Sequence, residues 1–165
     1  MGPIDPSNLD HLKHNELVEL FGKIRAELVR RGMTGNLTGE IGEYLVVEFF
    51  NHTPGLTTLT KASAGTTNCD AIGKNGQRYT IKTVTGSTTS AFWGLPPPGS
   101  NTIPEKVFDF VLLVKLSDAL QLERIGEHSW ESFLRIKRWN SRMNAWQLNV
   151  GKRTWEACRI LFPAQ

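Results

Sequence analysis

Asn68-Cys69-Asp70-Ala71-Ile72-Gly73-Lys74-Asn75-Gly76-Gln77-Arg78-Tyr79-Thr80-Ile81-Lys82 is the stretch around which the rest of the chain is read. Asn75-Gly76 is a strong hairpin signal, because both central residues of a type I′ turn take positive φ and Asn and Gly tolerate it. Two short strands are therefore expected to meet around a two-residue turn. Antiparallel pairing then carries Asp70, near the end of the first strand, towards Lys82 on the second, although twelve positions separate them in sequence. A carboxylate beside an ammonium suits phosphodiester hydrolysis, which needs an oxygen ligand for a hard divalent cation and a positive group for the attacking water or the developing charge. The same residues also fit an Asp that caps the hairpin and a Lys on a solvated strand face.

Upstream, Gly39-Glu40-Ile41-Gly42-Glu43-Tyr44-Leu45-Val46-Val47-Glu48-Phe49-Phe50 reads as a largely buried helix with Thr38 as its N-cap. Glu40 and Glu43 share one face of it, one turn before Val47, while Gly39 and Gly42 would let the helix approach a sheet closely. First-turn acids are also favoured by the helix dipole alone. Before this, Leu12, Leu17, Leu20, Phe21, Ile24 and Leu28 recur at helical spacing until Gly32 supplies a stop, so an amphipathic helix is expected from Leu9 onward. His11 and His14 stand at i and i+3 near its start without a third ligand, and a solvated face explains them. Residues 1–8, with Pro3 and Pro6, are expected to form a loose lead.

Downstream, residues 85–105 hold many Pro, Gly, Ser and Thr and read as a long loop, in which Phe92-Trp93 either stacks on bases or pins the loop to the core. Val107 to Leu116 is a β-branched and aromatic run expected to be a buried strand, and Leu120 to Ile125 alternates like its antiparallel neighbour. A short strand is expected near Leu56 to Leu59, and Ser129 is expected to cap a helix bearing Trp130, Phe133 and Leu134.

Asp70, the hairpin and Tyr79-Thr80-Ile81-Lys82-Thr83, preceded by Gly39-Glu40-Ile41-Gly42-Glu43, resemble the PD-(D/E)XK, or restriction-endonuclease-like, nuclease superfamily. The second half, from Phe92-Trp93-Gly94-Leu95 through Phe108-Asp109-Phe110 to Trp139 and Trp146, is similar to bacterial domains of the same superfamily, so the resemblance spans residues 36–162. It implies a nuclease that cuts DNA with Mg2+ or Mn2+, in bacterial restriction or defence. Asp70 and one of Glu40 or Glu43 would bind the metal, the carbonyl of Ile81 would complete the shell, and Lys82 would orient the attacking water. Where the family carries an acid or Gln two positions before the Lys, this chain has Thr80, an outer or weak ligand with only a neutral oxygen. The alternative is a nuclease-like module that binds nucleic acid without turnover, or a partner subunit.

The charge pattern points to the same class of partner. Arg135, Lys137, Arg138, Arg142, Lys152, Arg153 and Arg159 face the single acid Glu156, so this segment carries +6 while the remainder sums to −3. A localised basic field attracts polyanions, and Arg135, Lys137, Arg138 and Arg142 with Trp93 are the expected nucleic-acid contacts. DNA is the expected partner, with RNA not excluded and a homodimer or partner subunit possible. No apolar run approaches the roughly 18 residues that span a bilayer, and no secretory leader pattern opens the chain, so a cytoplasmic location is expected. Cys69 and Cys158 form no metal-ligand or Cys-x-x-Cys spacing and read as small buried hydrophobes. The fold expected of the 165 residues is one α/β (α+β) domain. Its sheet should be mixed and mostly antiparallel, with roughly four to six strands, flanked by the two N-terminal helices and one or two later ones.

Overall fold

A computed structural model describes residues 9–63 and 65–163; the expected loose lead over residues 1–8 lies outside the described residues. Contacts divide the chain into two compact units, Met1–Leu37 and Thr38–Gln165. The first contains helix α1 (His14–Arg30), whose start is fixed by Glu16 reaching back to accept from the Lys13 N–H at 2.7 Å. Its last turn is braced by Glu27, which accepts from both Arg30 and Arg31 at 2.7 Å. The helix contributes no buried side chain, and Val18, Phe21 and Ile24 on its apolar stripe are exposed.

The second unit is an α+β structure built on a six-stranded sheet. In chain order it holds α2 (Leu37–His52), β1 (Leu59–Lys61), β2 (Ala71–Gly73), β3 (Arg78–Val84), β4 (Phe110–Leu116) and β5 (Leu122–Ser129). Then come α3 (Trp130–Ile136), β6 (Arg138–Asn140), β7 (Ala145–Gln147), α4 (Lys152–Glu156) and β8 (Arg159–Phe162). The sheet order is β1-β2-β3-β4-β5-β8, with β6 and β7 forming a separate hairpin. Among the described residues only β3 and β4 run parallel, with Tyr79 opposite Phe110 and Lys82 opposite Leu113; the other pairs are antiparallel. The expected mixed, mostly antiparallel sheet is therefore what forms.

The parallel pair explains the long loop. Antiparallel neighbours can be joined by a tight turn, but parallel ones need a crossover, and residues 85–109 make it without a helix of their own. That crossover is tied down by isolated bridges from Thr88 to Asn149 and from Phe92 to Trp146. The register of β3 on β4 is pinned at its start by Asp109, whose carboxylate accepts from the Arg78 N–H at 2.8 Å.

Strand alternation divides the core in two. Tyr79 and Ile81 of β3 and Leu112, Val114 and Leu116 of β4 face α2, where Val46 and Phe50 meet them. Val111 faces the other layer, which gathers Phe92, Phe108, Trp130, Phe133 and Leu148. β4 is buried on both faces because its run of Val and Leu has no polar side to offer water. Ser129 caps α3 as expected, accepting from the Ser132 N–H at 3.2 Å.

The hairpin closes differently from the expected type I′ turn. Gly76 has φ +83, but Asn75 is not among the residues with positive φ. The Gly76 N–H donates to the Gly73 carbonyl and the Gly73 N–H to the Gln77 carbonyl, both at 2.8 Å. This is a three-residue loop in which one turn is followed by a left-handed glycine, the next most common hairpin closure. Strand pairing survives the change because the glycine absorbs the one strained position.

Candidate functional site

The hairpin places Asp70 one residue before β2, where its N–H still donates to the Tyr79 carbonyl at 2.8 Å. β2 pairing ends there, so the next position along β3 is served by a side chain. Asp70 Oδ2 accepts from the Ile81 N–H at 2.6 Å and from the Thr80 hydroxyl at 3.0 Å. Both bonds fall on one oxygen, and Oδ1 carries neither. Within a strand the N–H and C=O of one residue point to the same edge, so the Ile81 carbonyl opens on the edge where Asp70 stands.

Thr80 and Lys82 alternate onto the same face of β3, the face away from α2. Thr80 is 3% exposed. Lys82 is roofed by the crossover: its Nζ donates to the Ala91 carbonyl at 3.1 Å and lies 4.9 Å from the centroid of the Phe92 ring. Burial pushes its pKa below the usual lysine value, while the negative charges of Asp70 and Glu43 act against that shift. Both carboxylates thus act on the Lys82 ammonium, though among the described residues it forms an ion pair with neither.

Glu43 stands on α2, and its carboxylate pairs with Lys61 Nζ at 3.0 Å at the end of β1. The helix comes close enough because Gly42 sits on β3: a Cβ there would lie 1.9 Å from Thr83 Oγ1. The Thr83 hydroxyl in turn donates to the Gly39 carbonyl at 3.5 Å. Glu40 stands one turn earlier on α2, with its Oε2 enclosed.

The residues present suit a hard cation that keeps most of its water. Asp70 Oδ1 and the Ile81 carbonyl are oxygen donors on one edge, Glu43 is a second carboxylate whose charge, like that of Asp70, acts on Lys82, and Mg2+ is commonly held by one or two carboxylates together with substrate phosphates. Among the described residues no cluster of three or more His, Cys, Asp or Glu groups stands at metal-binding spacing.

The expected nucleic-acid residues separate by environment. Arg135, Arg138 and Arg142 are exposed, and Trp93 is 55% exposed, whereas its neighbour Phe92 is 3% exposed and belongs to the core. Phe92 thus pins the crossover to the core, while the Trp93 ring is open to solvent. Lys137 is engaged, with its Nζ 3.1 Å from the centroid of the Trp146 ring, and burial lowers its pKa. Trp146 also donates from Nε1 to the Pro96 carbonyl at 2.8 Å and packs edge-on to Trp139, so these indoles anchor the crossover.

Sequence reasoning missed three features. The Ala91 carbonyl and Phe92 ring over Lys82 had no local signal; the Thr80 hydroxyl bond to Asp70 follows from strand pairing and could have been found. The third is His128, which is fully buried. Ser132 donates its hydroxyl to the Ala157 carbonyl at 2.6 Å, so it can only accept from His128 Nδ1 at 3.2 Å. Nδ1 is thus the protonated nitrogen, and Nε2 is enclosed without a hydrogen-bond partner among the described residues. Burial lowers this imidazole's pKa to about 4.

No protein-family model matches the chain, and no curated protein matches it. No described helix is long and apolar enough to cross a membrane.

Proposed function

We propose that the chain is a PD-(D/E)XK-type nuclease that hydrolyses phosphodiester bonds of DNA, with Mg2+ or Mn2+ as cofactor. The observation that carries this reading is the Asp70 carboxylate, which accepts from the Ile81 N–H at the strand edge and from the hydroxyl of Thr80, a residue on the same strand face as a sheltered Lys82. Asp70, the Ile81 carbonyl and one of Glu43 or Glu40 would hold the cation, which when bound supplies a Lewis acid and a more acidic water. Lys82 supplies the positive group. Its cover by Ala91 and Phe92 holds the ammonium and limits competing water, so its charge acts at lower effective dielectric than on an open surface. Thr80 holds Asp70 in its orientation through the hydroxyl bond, a positioning role rather than that of a ligand. Glu43 can turn to the site only by leaving Lys61, an ion pair whose lysine is mostly exposed and thus weakly held. The exposed arginines of the C-terminal segment contact phosphates. We place the protein in the cytoplasm, in bacterial restriction or defence, acting as a homodimer or with a partner subunit.

Incubation of the wild type with double- and single-stranded DNA and with RNA, in Mg2+ or Mn2+, tests the proposal. Cleavage is expected with the wild type, and a loss of about 100-fold or more with Asp70→Asn and Lys82→Met at unchanged melting temperature. A wild type that cleaves none of these with either metal overturns it.

A second reading rests on Thr80. Its hydroxyl already occupies Asp70 Oδ2, and it adds no charge where the family pattern has an acid. On that reading the frame binds nucleic acid without cutting it. Thr80→Glu then creates metal-dependent cleavage absent from the wild type, whereas in the active reading it lowers existing cleavage, because it removes the hydroxyl that orients Asp70.

A further inference from the structure

A second group of cations gathers where three distant segments meet, away from the Asp70 hairpin. A cleft of ≈ 420 Å³ is lined by Ser87 and Thr88 of the crossover, Arg138 at the start of β6, and Asn149, Lys152 and Arg153 around the start of α4. Its lining holds three cations and no acid. Lys152 has Glu156 at 3.7 Å, but both are well exposed, and such pairs hold little energy. Among the described residues Arg138 has no ion-pair partner, and Arg153 makes only a long contact of 3.5 Å to the Arg135 carbonyl. Like charges held together without acids repel one another, which favours a bound anion.

The frame of the cleft is preset. The Val150 N–H donates to the Ser87 carbonyl at 2.7 Å, and the Thr154 hydroxyl to the Asn149 carbonyl at 2.6 Å. Lys115 from β4 holds the Thr85 carbonyl just before it. The volume falls in the range of pockets that take organic ligands rather than single ions, about 300–1,000 Å³. Arginine forks and hydroxyl donors together match phosphate oxygens.

We propose that this cleft binds the phosphates of a nucleic-acid strand and leads that strand to Lys82. The connection is the crossover itself: residues 87 and 88 line the cleft, and residues 91 and 92, a few positions on, roof Lys82. The strand's delivery to a cutting site rests on the nuclease reading above; phosphate binding in the cleft does not.

The test is fluorescence anisotropy with labelled oligothymidylate of about 12 nucleotides, a common site size for strand-binding surfaces, in EDTA so that nothing is cut. Arg138→Gln/Arg153→Gln is expected to weaken binding at least about tenfold and to flatten the log–log salt slope by about 1.4, as two lost single-strand phosphate contacts require. The control Arg25→Gln/Lys74→Gln, of equal charge change on exposed residues outside the cleft lining, is expected to lose much less. Equal loss in both variants means a diffuse field and overturns the site. Unlabelled thymidine monophosphate and inorganic phosphate are competitors: displacement at the same phosphate concentration as the strand assigns the cleft to a mononucleotide or lone anion and overturns strand binding. Amide shifts of the wild type titrated with the same strand keep the test open if a variant misfolds. Shifts are expected at Ser87, Thr88, Asn149 and Gly151, and their absence refutes the proposal. A wild type that cleaves DNA while the cleft variants bind normally refutes the cleft alone; one that binds through the cleft and never cleaves refutes the nuclease reading alone.

Discussion

Asp70 is a structural residue as well as a candidate ligand, and the two roles give different outcomes for different substitutions. Asp70→Ala strands the Ile81 N–H where pairing with β2 has ended, and leaving such a buried donor unsatisfied costs about 1–3 kcal/mol. Asp70→Asn keeps an oxygen for that N–H while removing the charge. Urea melts are expected to show the alanine variant less stable by that amount and the asparagine variant within about 1 kcal/mol of the wild type. Equal losses would mean that the charge, not the acceptor, supports the strand. His128 makes a second residue-level prediction. Folded, it stays neutral down to about pH 4, whereas in the unfolded chain it binds a proton below about pH 6.5. Its contribution is therefore fully present above pH 6.5 and is lost as pH falls towards 4, up to about 3 kcal/mol. Neighbouring Glu127 acts in the opposite direction, because burial raises its carboxyl pKa. Melts at several pH values between these limits are expected to show a steeper acid loss for the wild type than for His128→Asn, which keeps an N–H for Ser132. Parallel curves would exonerate the histidine.

At the scale of elements, the site depends on how closely α2 lies on β3. Gly42 has no room for a side chain: an added Cβ would meet Thr83 Oγ1 at 1.9 Å, Cγ2 at 2.4 Å and Cβ at 2.7 Å. Thr83 cannot clear all three by changing rotamer, so Gly42→Ala must move the helix. The expected cost is about 1–3 kcal/mol or more, the usual range for overpacking. The displacement moves Glu43 as well, so if the chain holds Mn2+ as proposed, that binding weakens in those molecules that still fold. Thermal melts with and without Mn2+ check both parts, and a fully stable Gly42→Ala protein would show that the close approach is not needed.

Across the whole molecule, charge is segregated rather than mixed, with +6 between Arg135 and Arg159 against −3 elsewhere. Arg135 on α3 and Arg142 in the β6–β7 turn are exposed and lie outside the lining of the cleft. If both meet phosphates, Arg135→Ala/Arg142→Ala reduces the salt slope for duplex DNA by about 1.8 and weakens all sequences alike. Titrations that return the wild-type slope would show that neither arginine meets a phosphate.

The sequence determined what local chemistry can encode. Gly76 required a turn, alternation and apolar runs required the strands on either side of it, and Ser129 marked the start of a helix. Each of these depends on residues within a few positions, so each is legible without knowing the fold. The turn type was read wrongly because the same Asn-Gly pair serves both a two-residue and a three-residue loop, and the flanking strands choose between them. The bonds of Asp70 to Thr80 and Ile81 were legible because hairpin register is itself local, whereas an approach of Asp70 to Lys82 is not fixed by that register. Only the tertiary structure decided what surrounds them: the roof of Ala91 and Phe92, Glu43 held by Lys61, and the cleft assembled from residues 87–88, 138 and 149–153. Those contacts join positions whose separation in sequence carries no period and no motif, and they exist because a parallel β3–β4 pair forces a long crossover that must pack against whatever apolar surface it meets.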